Sequence, residues 1–250
     1  MKLFFPNNIF ASLIAKNLSG NDEIKFVPSS MLSKHLTEDE ESAALIPTTD
    51  LINHNDLYVS KKFGVSFEGE ISNSYIYFKP GEPHINEISL YGDVSSLEVI
   101  ITKILFKEVY GADVVMQILT DESNLENKNL VVIGDQNFST GIFSKGISFA
   151  DEVTESLDLP FVNFIAASRS SKIIEELDEK TKNITAGIYT SIETANIGEN
   201  FSSEVVELFK ANSASLIFEL DEQDVEGITQ LVRLPYFYGI TKDIFEVKFI

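Results

Sequence analysis

The chain has 250 residues, 44% of them hydrophobic and 23% charged, a globular balance long enough for one large domain or two lobes around a real core. Acidic residues outnumber basic ones by 39 to 19, and the resulting net charge of -20 argues against nucleic acid or an anionic membrane as partner, since both need clustered Lys and Arg. There is no cysteine, which excludes a disulfide framework, a thiolate metal site and a thiol nucleophile.

The first five residues resemble the start of a leader, but Pro6-Asn7-Asn8 interrupts them where a signal sequence would continue for ~7–15 apolar residues. Residues 3–5 are instead predicted as a strand, followed by an apolar helix over 9–18 with Asn7 or Asn8 as its N-cap. A strand over 24–27 comes next, then a helix opened by Pro28-Ser29-Ser30 and running toward Leu36. The acidic run 38–41 reads as a solvated loop, and residues 43–46 as a strand ending on Pro47-Thr48-Thr49. No stretch approaches the ~18 apolar residues of a membrane span, so a soluble, cytoplasmic protein is expected.

Residues 63–78 alternate, with Ile71, Asn73, Tyr75 and Tyr77 on one face and Ser72, Ser74, Ile76 and Phe78 on the other. Period two predicts one long strand, able to cross between lobes. The breaker cluster Lys79-Pro80-Gly81-Glu82-Pro83 is a natural boundary. A strand over 88–90 leads into a helix over 95–110, with Ser95 and Glu98 as a capping box and Gly111 closing it. Strands over 114–118 and 130–133 flank the acidic loop 121–127. Beyond residue 151 the pattern gives a helix, a strand over 161–167, a helix over 171–182, helices near 202–211 and 221–231, and a turn at 238–240.

Alternating strands and helices predict an α/β fold with mainly parallel sheets. The continuous apolar runs 43–46 and 130–133 stop on Pro47-Thr48 and Gly134-Asp135. Such strands are covered on both faces, and their carboxyl ends are where open α/β sheets hold ligands. Two of them far apart in sequence predict two lobes across a shared cleft: residues 1–78 plus 170–250 as lobe one, and 79–169 as lobe two.

Three strand-to-helix junctions carry the functional signal: Asn7-Asn8, Asp93 to Ser96, and Gly134-Asp135. A helix start offers unpaired N–H groups and partial positive charge, so it holds a carboxylate without arginine. Only Arg169 and Arg233 occur. Arg169, after the strand over 161–167, is expected to reach the cleft and Arg233 to form a surface pair. Ser95 caps its own helix, whereas Ser96 is free to face a ligand. Gly134 either admits close approach to the backbone or makes a tight turn, and Asp135 either orients a ligand hydroxyl or caps the next segment. His35, His54 and His84 are isolated, with no metal-ligand spacing. The expected partner is a small-molecule carboxylate, with no nucleic acid, membrane, metal or cofactor, and the chain is expected as a monomer or homodimer.

Several segments together resemble a known family. Lys2-Leu3-Phe4-Phe5-Pro6-Asn7, Pro28-Ser29 followed by Leu32, and Ala44-Leu45-Ile46-Pro47-Thr48 match its early motifs. Gly64-Val65-Ser66 with Gly69, Tyr110-Gly111, Val132-Ile133-Gly134-Asp135 and Leu159-Pro160-Phe161-Val162 match its later ones. The chain is similar to the MqnA/MqnD group of periplasmic-binding-protein-like enzymes of the futalosine route to menaquinone, and within it to chorismate dehydratase. The resemblance implies a two-lobed type II fold and a carbon–oxygen lyase working by positioning in a closed, dry cleft. With it, Asn7 and Ser72 are expected as catalytic residues and Thr48, Asn73, Ser95, Ser96, Gly134 and Asp135 as ligand contacts, joined by Arg169 from its position after the 161–167 strand. The chain differs from the family at Asn73, where the family has serine, and at Tyr91-Gly92-Asp93, which brings a carboxylate to the anion-binding helix start. A non-catalytic small-molecule binder of the same fold is the alternative expectation.

Overall fold

The computed structural model of the protein describes residues 1–18, 20–81, 85–121, 125–198 and 201–250. Glu82, Pro83 and His84, and residues 122–124 of the acidic loop, lie outside the described residues.

The chain opens with β1 (Lys2–Pro6), α1 (Ile9–Asn17), β2 (Glu23–Val27), α2 (Leu32–Glu38) and β3 (Ser42–Pro47). β1 pairs in parallel with both β2 and β3. Every residue of β3 is buried, as an apolar run covered on two faces requires. The two faces have separate cores. Leu3, Phe5, Ala43 and Leu45 join one apolar cluster, and their neighbours Phe4, Ala44 and Ile46 join the other. α1 starts where Asn8 accepts a hydrogen bond from the Ala11 N–H at 2.9 Å, a side-chain cap.

β4 (Tyr58–Phe67) stays in this sheet, whereas β5 (Ser74–Tyr77) starts a second one. The predicted single strand over 63–78 is therefore two strands. The alternation runs through both, but the intervening segment bonds elsewhere: Glu68 N–H donates to the Ser215 carbonyl, and the Ser148 hydroxyl to the Gly69 carbonyl. β6 (Glu87–Gly92), α3 (Ser96–Tyr110), β7 (Val115–Leu119), β8 (Leu130–Ile133), α4 (Gln136–Ser139), β9 (Ile147–Ser148) and α5 (Phe149–Leu157) complete the second unit. Its sheet has the order β7-β6-β8-β5-β9. Lys79, Pro80 and Gly81 thus fall between two strands of one sheet and mark no boundary between sheets.

β10 (Phe161–Ser168) returns to the first sheet, followed by α6 (Ser171–Thr181), α7 (Ile184–Glu193), α8 (Ser203–Ala211), β11 (Leu216–Glu219), α9 (Glu222–Phe237) and β12 (Lys248–Phe249). The first sheet runs β11-β4-β10-β3-β1-β2, with β12 also on β4. The chain changes sheet within 68–73 and 158–160, so Ser74–Tyr77 and Phe161–Ser168 sit in the opposite units from those expected of boundaries at 78/79 and 169/170. The ladders are mixed. β1, β2 and β3, and β6, β7 and β8, run parallel, while β10 is antiparallel to both β3 and β4, and β5 to β8.

An aromatic seam joins the two units beside the crossing segments. Phe10 of α1 packs on Phe67, at the end of β4, with centroids 4.7 Å apart, and on Phe138 of α4 at 6.0 Å. Phe209 of α8 closes the cluster, 5.6 Å from Phe10 and 5.5 Å from Phe138. All are buried.

Candidate functional site

Because β1 and β3 are parallel, their carboxyl ends deliver Asn8, with the start of α1, and Thr48-Thr49-Asp50 to one edge of the first sheet. Parallel β6 and β8 likewise deliver Asp93, Ser95 and Ser96, and Gly134 with Asp135, to one edge of the second. These two edges meet.

Three carboxylates make the join. Asp135 accepts from the Ile9 N–H at the start of α1, 2.9 Å away. Asp93 accepts from the Ser29 N–H at 2.9 and 3.2 Å and from the Ser29 hydroxyl at 2.6 Å. From the first unit, Asp50 accepts from the Ser96 hydroxyl at 2.5 Å and from its own neighbour Ser33. Ser96 has one hydroxyl proton and gives it to Asp50, so Thr49, 2.7 Å from Ser96, is the donor in that contact. Among the described residues, only neutral dipoles hydrogen-bond to these carboxylates. Burial raises the proton affinity of all three, against the hydroxyl and N–H bonds, and for Asp135 the charge of Asp93 adds to burial and lifts it to about 6. Gly134 makes the turn that presents Asp135: its φ is +89°, a conformation that favours glycine, and its N–H donates to the Asn73 carbonyl at 2.7 Å.

Beside these contacts are buried amides with unused atoms. Among the described residues, Asn8 Nδ2 and Asn73 Oδ1 have no partner, and each residue adjoins or bonds a neighbour of Asp135: Asn8 precedes Ile9, and Asn73 accepts from Gly134. Asn163, in a bulge of β10, is fully buried with neither amide atom bonded. The adjacent Val162 carbonyl accepts from Thr48 at 2.5 Å. A buried donor or acceptor left unmade costs free energy, so each such atom calls for a partner.

The sequence-predicted residues separate clearly. Ser96 and Asp135 bond across the junction, Gly134 and Asn73 bond each other next to Asp135 on the second-sheet side, and Thr48, at the first-sheet edge, bonds β10. Asn7 is exposed, and its neighbour Asn8 is the buried cap. Ser72 is buried and accepts from Ser74 and Ala150 N–H groups, fastening β5 to α5. Ser95 caps α3 and donates to the fully buried Glu98 at 2.5 Å, the capping box expected.

Arg169 lies elsewhere. It pairs with Asp56 at 2.8 Å and Glu40 at 3.9 Å. β10 is antiparallel to β3, so Ser168, at its carboxyl end, pairs with Ala43 near the start of β3, away from the edge that carries Thr48. The expectation that Arg169 reaches the cleft placed it at a crossover between lobes, whereas the chain crosses before β10, at 158–160. Asp50, Ser29 and Asn163 escaped the sequence reading. Each had a signal: Asp50 closes the Thr-Thr-Asp stop after an apolar run, Ser29 opens a helix after proline, and Asn163 is the lone amide within seven otherwise apolar residues.

Two surface cavities lie away from these carboxylate contacts, the larger of them beside the crossing segments, between α5 and α9. One, of about 630 Å³, is lined by Glu68, Asp158, Pro160, Glu222 and Glu226, and another, of about 330 Å³, by Lys79, Glu87, Gln117 and Asn129. Among the described residues no group of three His, Asp or Glu is arranged to hold a metal ion, and no helix is long and apolar enough to cross a membrane.

No protein-family model matches the chain, and no curated protein sequence matches it. Solved structures do. Protein AF1704 from Archaeoglobus fulgidus superposes with a TM-score of 0.66 at 12% identity, over 96% of this chain and 98% of that one. The periplasmic aliphatic sulphonate binding protein SsuA from Escherichia coli gives 0.66 at 10%, over 99% and 95%. The Candida albicans CA3427 gene product, described as having the generic periplasmic binding protein structural fold, gives 0.52 at 13%, over 97% and 91%. At these identities the likeness is one of fold, and the two sheets, their mixed topology and the double crossing agree with it: the chain has the two-lobed, type II fold of the periplasmic binding proteins.

Proposed function

We propose that the protein binds a small molecule at the junction of its lobes and does no chemistry on it. The observation that carries this reading is the set of buried amide atoms without partners, Asn8 Nδ2 and Asn73 Oδ1, on either side of the Asp135 contact. They offer one donor and one acceptor to a polar ligand. A cytoplasmic monomer or homodimer goes with this reading.

The second reading is the chorismate dehydratase that the sequence resemblance implies. It is supported by the meeting at one junction of residues from separate family-like motifs: Ser29 with Asp93, and Asp135 with the start of α1. Against it, Asn7 is exposed, the Ser72 hydroxyl fastens backbone, and Asp93 occupies donors that a substrate carboxylate would need. A carboxylate ligand held by Ser96 meets the same objection, because that hydroxyl already donates to Asp50.

A thermal-shift panel of amino acids, sugars, sulfonates and chorismate separates the readings, followed by incubation of any stabilising compound with the protein. Binding to the native state alone adds about 2.7 kcal/mol at a hundredfold excess over Kd. We expect a compound that stabilises and is recovered unchanged, and that loses about tenfold in affinity with Asn73→Leu. Conversion of chorismate to an enolpyruvyl-benzoate would establish the lyase instead. A panel without any shift would remove the binding reading.

A further inference from the structure

We infer that the protein latches its own lobes shut, with Asp93 and Asp135 acting as tethered anions on the donor groups of Ser29 and Ile9. The inference rests on the two-lobed fold and needs no ligand. In a two-lobed protein that closes around an anion, the N–H groups of one lobe are left open to solvent until the anion arrives and bridges them to the other. Here the bridging oxygens are already part of the second lobe. Asp135 covers the N–H of the first residue of α1, and Asp93 covers both donors of Ser29. Asp50 makes the reciprocal connection, from the first lobe to Ser96 at the start of α3.

Geometry keeps the two second-lobe carboxylates in place. Asp93 follows Gly92 at the end of β6 and donates its N–H to the Ile133 carbonyl at 3.2 Å, while Gly134 is bonded to Asn73. Both carboxylates therefore project from adjacent, hydrogen-bonded strand ends and reach their donors as a pair. Tethering removes the translational entropy that a free anion would lose, which offsets the cost of burying two carboxylates near each other. Phe10 and Phe138, one residue from Ile9 and three from Asp135, pack across the same junction and add apolar contact beside the carboxylate bonds.

The test uses small-angle scattering and amide exchange on protein refolded from denaturant to remove any copurified molecule. The unliganded parent should scatter as the closed arrangement, with the Ile9 and Ser29 amides protected. The double variant Asp93→Ala/Asp135→Ala should show a larger radius of gyration and lose protection at those two amides by about tenfold or more. Sodium acetate should supply the missing carboxylates and restore both readouts, whereas sodium chloride at equal ionic strength should not. If the double variant fails to fold, scattering of the parent still decides: an expanded, open profile without ligand overturns the latch. So does a folded double variant with unchanged scattering and unchanged protection. Because no ligand enters the experiment, failure here leaves the binding proposal standing, and an empty ligand panel leaves the latch standing.

Discussion

The Ser96 hydroxyl and the Asp50 carboxylate are joined across the lobes at 2.5 Å, and Thr49 donates into the same hydroxyl. Ser96→Ala removes the central member of this chain and leaves Asp50 with Ser33 alone. A hydrogen bond to a charged group contributes about 1.5–3 kcal/mol, and the lower end is expected because Ser96 is only half-buried. Urea unfolding should show a lower midpoint with an unchanged slope. An unchanged midpoint would mean that the contact adds nothing to the native state.

Asp135 gives the junction a pH dependence. Its carboxyl ordinarily ionises near 3.8 and in the folded protein at about 6, so the native state holds the proton more tightly. Stability from this group is present below about pH 4 and lost as pH rises through about 6. Asp135→Asn keeps a carbonyl acceptor for the Ile9 N–H and removes the charge. The variant's gain in Tm over the parent should be larger at about pH 7.5 than at about pH 4.5. An equal difference at both values would show that Asp135 titrates normally.

Gly92 holds β6 against β8 at the root of the site. A Cβ there would lie 2.0 Å from the Ile133 carbonyl oxygen, and the backbone φ is +105°. Gly92→Ala should cost about 3 kcal/mol or more, combining backbone strain with displacement of a strand. Differential scanning calorimetry measures it, and a loss under about 1 kcal/mol would mean that β6 shifts freely.

Arg169→Ala should change little. Its partners Asp56 and Glu40 are exposed, and exposed ion pairs contribute about 0–1 kcal/mol. Ligand affinity measured by calorimetry should match the parent. A tenfold loss would return Arg169 to the site.

Much of this architecture is legible in the residues, and the failures have physical causes. Period and capping locate α3 well, because Ser95, Glu98 and Gly111 each act locally on their own helix. The stops after β3 and β8 identify both edges of the junction for the same reason: an apolar run ending on small polar residues reflects burial of the strand itself. Strand direction is not local. Nothing within Phe161–Ser168 encodes that it runs against β3 or that the crossing precedes it, and the two together place Arg169 at the end away from the site. Alternation across residues 63–78 likewise reports local pleating and says nothing about which sheet each half joins. Pairings such as Asp93 with Ser29 depend on two lobes docking, 64 residues apart in sequence, and so leave no periodic trace.

The position of β10 also constrains how the molecule is made. The second sheet is assembled from one uninterrupted stretch, 74–148, whereas the first has β3 and β4 on either side of a strand that arrives only at 161–168. During synthesis the amino-terminal β1–β2–β3 ladder can form early, yet β4 has no neighbour until the later segment emerges. Pairings that close such long loops form late. Pulse-labelled exchange should therefore protect β6 and β8 before β4 and β10, and the unfinished gap between β3 and β4 is the edge through which nascent chains would join one another if β10 were delayed.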